Sequence, residues 1–168
     1  MKEISYTQII GPMAEKLATG GVFLTVNGEK ANTMTIGWAS AGVYWSRPVC
    51  VVLVRPQRHT YSLIENADEF TVSVPTANPL KEELAFAGTQ SGRDYDKFQG
   101  HGLTAVPGQK VNTPIVGECG LHLECKIVHR QVLQDDDRDQ PTFTRAYPLK
   151  DYHIMYWGEI VSAYTTDE

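Results

Sequence analysis

Cysteine is scarce: Cys50, Cys119 and Cys125 are the only three in 168 residues, an odd number with no paired spacing. No disulfide framework is expected, and free thiols in a reducing, cytoplasmic compartment are the natural reading. No apolar run approaches the roughly 20 residues that cross a bilayer, so no membrane partner is expected. The opening MKEISYTQIIGPMAEKL carries acids and lacks the apolar core of a secretory signal. Also missing are a GxGxxG fingerprint, a GxSxG elbow and an HExxH helix. A Rossmann cofactor site and serine or zinc hydrolysis therefore have no support. Cys119, His122, Glu124 and Cys125 crowd together, but on a strand His122 and Glu124 share one face and Cys125 takes the other, so no metal is expected. A formal charge of -5 without a basic face argues against nucleic acid. With no repeat, low-complexity segment or linker, residues 1–168 read as a single domain.

One absence is local. Residues 31–64 contain no Asp or Glu, although the chain as a whole is acidic. The gap holds Arg47, Arg55, Arg58 and His59, and it opens with a cluster of small and hydroxylated residues: Asn32, Thr33, Thr35, Gly37, Ser40 and Gly42. A positive, donor-rich segment in an acidic protein suggests a bound anion, most simply a phosphate.

Periodicity supplies the elements. Residues 6–17 read as a lead-in, an edge strand followed by a turn at Gly11-Pro12. Residues 22–26 are a strand, and Asn27-Gly28 signals a tight primed hairpin turn. Residues 31–40 form the next strand, 43–45 pair nearby, and Pro48 interrupts before the central apolar strand 49–54. Thr60 caps a short helix over 61–66. Residues 69–74 alternate as a half-buried strand ending at Pro75, and residues 79–87 form a helix capped by Asn78. Residues 88–98 are a polar loop, and 100–120 are turn-rich. Leu121, Leu123, Cys125 and Ile127 alternate with His122, Glu124 and Lys126 as a long antiparallel strand. Residues 135–139 are a solvated turn, and 152–164 the last strand. About seven strands with few helices predict a mostly β protein, an antiparallel closed or partly open barrel. Its interior has little room, so a ligand belongs on the outer wall, against a loop or another subunit.

Three motifs then occur in order. They are Asn32-Thr33-Met34-Thr35-x-Gly37-Trp38 with Trp45-Ser-Arg-Pro48 and Val54-Arg55-Pro-x-Arg58-x-Thr60; Gly88-Thr-Gln-Ser91-Gly92-Arg93-Asp94-Tyr-Asp96-Lys97-Phe98; and His153-Ile-Met-Tyr-Trp157-Gly158-Glu159-Ile160. Together they resemble the flavin reductase-like, FMN-binding split β-barrel family, which includes flavoredoxins, over nearly the whole chain. The resemblance implies bound FMN in preference to FAD, with NADH or NADPH as candidate electron donor; a flavin site on a barrel wall wants a second wall, so a homodimer is expected. The resemblance also implies roles. Asn32, Thr33, Met34 and Thr35, with Ala39, Ser40 and Ala41, would lay backbone donors and acceptors along the flavin edge, where small residues let the backbone approach. Without a ligand they are a Thr-rich strand. Trp38 would border the ring or serve as core. Arg55, Arg58 and Thr60 would hold the phosphate, or else be surface groups at a strand end. Ser91, Arg93 and Lys97 would add ribityl and phosphate contacts, or form a solvated loop. His153 would face the flavin or the nicotinamide, or be structural.

No acid–base constellation is visible, which fits an enzyme whose cofactor carries the chemistry. A hydride-transferring oxidoreductase and an FMN electron carrier serving a redox protein partner both need this pocket. A barrel with no flavin is the third reading.

Overall fold

Alternating and continuous apolar runs become strands wherever both faces can be covered. In the computed structural model, which describes residues 1–135 and 140–167, ten strands and four helices form. In chain order they are β1 (Lys2–Glu3), α1 (Thr7–Thr19), β2 (Val22–Val26), β3 (Asn32–Ile36), β4 (Ala39–Tyr44), β5 (Arg47–Val54), α2 (His59–Ile64) and β6 (Glu69–Val74). Then come α3 (Lys81–Thr89), β7 (Ala105–Val106), β8 (Ile115–Val116), β9 (Leu121–Val132), α4 (Gln140–Ala146) and β10 (Ile154–Thr165). The main sheet is antiparallel throughout, in the order β3-β2-β6-β9-β10-β5-β4, with β1 added on β10. Its two edge strands, β3 and β4, are joined by Gly37 and Trp38 alone. The sheet must therefore curl until its edges approach, which makes a split barrel with its seam at residues 37–38.

The interior holds Leu24, Val26, Cys50, Val52, Val54, Phe70, Val72, Leu123, Cys125 and Tyr156, with Ile9 and Met13 of α1 packed onto them. At Gly158 a Cβ would lie 2.6 Å from Cys125 Cβ and 2.5 Å from Phe70 Cζ, so only glycine lets β10 pass. A second cluster, Phe23, Leu80, Leu84, Ala87, Leu103, Val116 and Cys119, covers the outer face of β2.

Several expectations change. Residues 6–17 are not a strand and turn but most of α1, with Ile9 and Met13 buried one helical turn apart and Pro12 inside. Gly11, lacking a Cβ, removes the clash that normally keeps a residue before proline out of a helix. Residues 27–31 form a five-residue hairpin connection, and neither Asn27 nor Gly28 takes the positive φ of a primed turn. That geometry appears at Trp45 (φ 51) and Ser46 (φ 59), between the paired Tyr44 and Arg47. Pro48 does not interrupt β5; β10 pairing ends at Val49, so proline there costs no ladder bond on that side. Thr60 is the second residue of α2, not its cap. The 79–87 helix begins at Lys81, and Asn78 Oδ1 accepts from Leu80 N–H at 3.2 Å.

β6 is buried on both faces, not half-buried. His122 and Glu124, in the polar half of the β9 alternation, are fully buried as well. The turn-rich segment folds over them: Glu124 accepts from the N–H groups of Gln109, Lys110 and Val111 at 2.6, 2.6 and 3.0 Å, and from Tyr164 O–H at 2.7 Å. Of the solvated turn expected at 135–139, all but Asp135 lies outside the described residues. Among the described residues no helix is long and apolar enough to cross a membrane.

Candidate functional site

The seam between β3 and β4 opens into a groove on the outer wall. At one end, residues 57–60 at the start of α2 meet the loop after α3. Met34, Arg58, His59, Thr60, Ser91, Arg93 and Lys97 line that end, and no carboxylate does. Lys97 is only 4% exposed, and its ammonium donates to Ala87 C=O at 2.7 Å. Arg58 donates to Gly88 C=O at 3.1 Å. The Thr60 hydroxyl, also buried, accepts from the Asn32 side-chain amide at 2.9 Å. Ser91 Oγ accepts from Arg93 N–H at 3.2 Å, shaping the loop. Gly92 is required here, because a Cβ would fall 2.1 Å from Asn32 Oδ1 and 2.7 Å from His59 Cδ2.

Among the described residues none of Arg58, Arg93 and Lys97 forms an ion pair. Burial, then the neighbouring Arg58, draws the Lys97 ammonium down to about 8. Burial, Arg93 and Lys97 hold the His59 imidazole below its usual range, and His59 Nδ1 is sealed without a partner. Three cations and two hydroxyls converging without an acid suit a phosphate dianion.

Further along, Met34, Thr35, Ile36, Gly37 and Trp38 form one wall, and Leu53, Arg55, Arg58 and His153 the other. Among the described residues β3 pairs only with β2, so its other edge leaves backbone donors and acceptors free along the groove. Both threonine hydroxyls of this strand are committed elsewhere. Thr33 is buried and bonds Thr25 Oγ1 at 3.1 Å, and Thr35 donates to Leu84 C=O at 2.6 Å. This is what a backbone-reading wall requires. Trp38 is 46% exposed at the seam, not core, and leans on His153 with ring centroids 4.8 Å apart. Beyond it, Ala39 and Ser40 continue the groove against Ala14, Leu17 and Ala18 of α1. Ala41 instead packs against the interior cluster.

Arg55 lines the groove, but its guanidinium is occupied. It pairs with Asp151 at 2.5 Å, donates to Ala146 C=O at 2.9 Å and lies 5.0 Å from the centre of the Tyr147 ring. Arg58, and not Arg55, lines the cluster with Ser91, Arg93 and Lys97. His153 Nδ1 lies 2.7 Å from the Tyr147 hydroxyl, and burial followed by Arg55 lowers this imidazole to about 4. Sequence reasoning missed Tyr147 and Asp151, since nothing in residues 140–151 marked a helix laid beside the groove. It also missed His59 as a lining residue, although the acid-free stretch contains it.

Comparison with known proteins agrees with the geometry. The family profile described as "Flavin reductase like domain" matches residues 13–168. The chain is 38% identical to an uncharacterized protein of Archaeoglobus fulgidus, over 69% of this chain and 65% of that one, so it spans just under two thirds of that relative. It is 30% identical to an uncharacterized protein of Pyrococcus abyssi, over 96% of this chain and 78% of the other. Among solved structures it is similar to the flavoredoxin of Desulfovibrio vulgaris (Miyazaki F), with 26% identity and a TM-score of 0.68, covering 89% of this chain and 70% of that one.

Proposed function

The chain belongs to the flavin reductase like domain family, and on that premise we propose that it is an FMN-binding oxidoreductase that passes reducing equivalents from NADH or NADPH to a further acceptor. The observation that carries this reading is the acid-free cluster of Arg58, Arg93 and Lys97 around Thr60 and Ser91. A buried lysine beside a second cation is costly unless an anion completes it. The open edge of β3 supports a planar heterocycle whose rim alternates donors and acceptors.

Arg58, Arg93 and Lys97 would neutralise the phosphate, and Thr60 and Ser91 would bond its oxygens or the ribityl chain. The backbone of residues 32–35 and 39–40 would fix the ring, with Trp38 bordering it. Bound there, FMN supplies the redox chemistry, accepting a hydride and passing its electrons on. The protein's share is to hold the ring with one face accessible, and His153 stays neutral beside that face at physiological pH.

A homodimer belongs to the same reading. Exposed Val43, Tyr44 and Trp45 would supply its apolar face, with Tyr44 packed on Trp157 of the buried cluster Val49, Val51 and Trp157. The likeness to a flavoredoxin favours a second reading, an FMN electron carrier that exchanges electrons with a protein partner.

Absorption spectra separate these readings. Purified protein given FMN, then NADH or NADPH without oxygen, is expected to show flavin bands that bleach promptly. Bands that persist with both nucleotides would favour the carrier. Failure to take up FMN at all would sink both.

A further inference from the structure

One ring nitrogen of His153 is engaged and the other is free. Nδ1 faces the Tyr147 hydroxyl at 2.7 Å. Nε2 has no protein partner among the described residues; it is not sealed from solvent, and the ring lines the groove beside Trp38. A neutral imidazole carries one N–H, so the direction of the Tyr147 bond decides what the groove meets.

The surrounding charges decide that direction. Arg55 and Arg58 are the cations facing the pair, and Arg55 Cζ stands 5.0 Å from the Tyr147 ring centre. A cation over a phenol withdraws electron density, which strengthens its O–H as a donor and weakens its oxygen as an acceptor. Asp151, the neighbouring carboxylate, is occupied by Arg55 at 2.5 Å and by the Gln57 amide at 2.8 Å. Burial raises the Tyr147 phenol, so it keeps its proton. Trp38 packs against the imidazole, with ring centroids 4.8 Å apart.

We propose that Tyr147 is a positioning residue that donates its hydroxyl to Nδ1 and fixes His153 as the Nε2–H tautomer, a neutral donor facing the groove for an acceptor atom of a bound ligand. Arg55 serves the same end through Tyr147 and the backbone of Ala146. The ligand's place in the groove rests on the flavin-site reading; the tautomer belongs to the chain alone.

The test uses protein labelled with 15N at its five histidines and long-range proton–nitrogen correlation near pH 7, without flavin, with His153→Gln to assign the resonance. The expected pattern is a protonated Nε2 and a bare Nδ1 at His153. In Tyr147→Phe, which keeps the ring under Arg55 but removes the hydroxyl, the two tautomers should mix while FMN affinity is unchanged. A protonated Nδ1 in the wild type, or the same pattern in Tyr147→Phe, would overturn the proposal. The wild-type spectrum decides the tautomer even if the variant fails to fold. FMN is then titrated into the same sample: the expected tautomer without FMN uptake would count against the flavin site and leave the role of Tyr147 standing.

Discussion

Lys97 is where single-residue chemistry bears most directly on function. An ammonium with 4% exposure and one carbonyl partner has lost most of its hydration, and Arg58 beside it adds repulsion. The result is a group poised at about 8. A bound phosphate favours the charged form, so the sign follows. Below about 8 Lys97 is already protonated and FMN affinity should be flat with pH. Above it, binding must first recharge the lysine, and affinity should fall by at most about tenfold per pH unit. Fluorescence titration of FMN from about pH 7, where the phosphate is already mostly a dianion, to about pH 9 checks this. Lys97→Met should bind more weakly at pH 7 and lose the dependence. Equal curves for the two proteins would remove Lys97 from the phosphate site. Stability has its own sign. The unfolded chain binds more protons between about 8 and the ordinary lysine value of 10.5, so the flavin-free protein gains stability as pH rises through that window. The penalty of the buried charge is fully present below it.

At the scale of elements, the β4–β5 hairpin turns on Trp45 and Ser46, both with positive φ and neither glycine nor asparagine. Each left-handed residue with a Cβ costs about 1–2 kcal/mol, which glycine avoids at some cost in chain entropy. Ser46→Gly should therefore stabilise the protein by about 0.5–1 kcal/mol, read as a rise in the thermal midpoint. No rise would mean that the turn is held by other contacts, such as Trp45 against His129 at 5.9 Å. This turn also shows why some elements were legible and others were not. Strands β2, β5, β6, β9 and β10 announced themselves through period and apolar content, because those features record burial directly. The turn at residues 45–46 did not, since its backbone follows from pairing of β4 with β5 and not from local preference. Asn27-Gly28 carried the stronger local signal and was overridden by the register of Val26 on Asn32. In α1 the Gly-Pro pair masked the spacing of Ile9 and Met13. The groove was legible as an acid-free, hydroxyl-rich stretch, but the engagement of Arg55 was not. Its partner Asp151 lies 96 positions away, and only the path of β10 beside β5 brings them together.

For the whole molecule, the question is what ties the turn-rich segment to the barrel. Among the described residues β7 and β8 pair only with each other, so no ladder joins this layer to the main sheet. Side chains supply the link: Glu69, Thr71 and Ser73 of β6 bond Thr113, Pro114 and Val116, and Glu124 of β9 makes the densest set. Reaching outward from β9, its buried carboxylate takes three backbone N–H groups of residues 109–111 and the buried Tyr164 hydroxyl. A carboxylate is acceptor-only and matches four donors; a carboxamide offers one oxygen and turns an NH2 toward donors that cannot accept it. Glu124→Gln keeps the volume and should still cost about 3 kcal/mol, through donors left unpaired around a buried side chain. For a chain of this length that is a fall of roughly 10 °C in the thermal midpoint. Hydrogen exchange locates the loss: residues 105–116 should open first, while amides of β5 and β10 keep their protection. Uniform loss of protection across β5, β9 and β10 would instead show that the layer and the barrel unfold as one unit, with Glu124 serving the core as much as the covering segment.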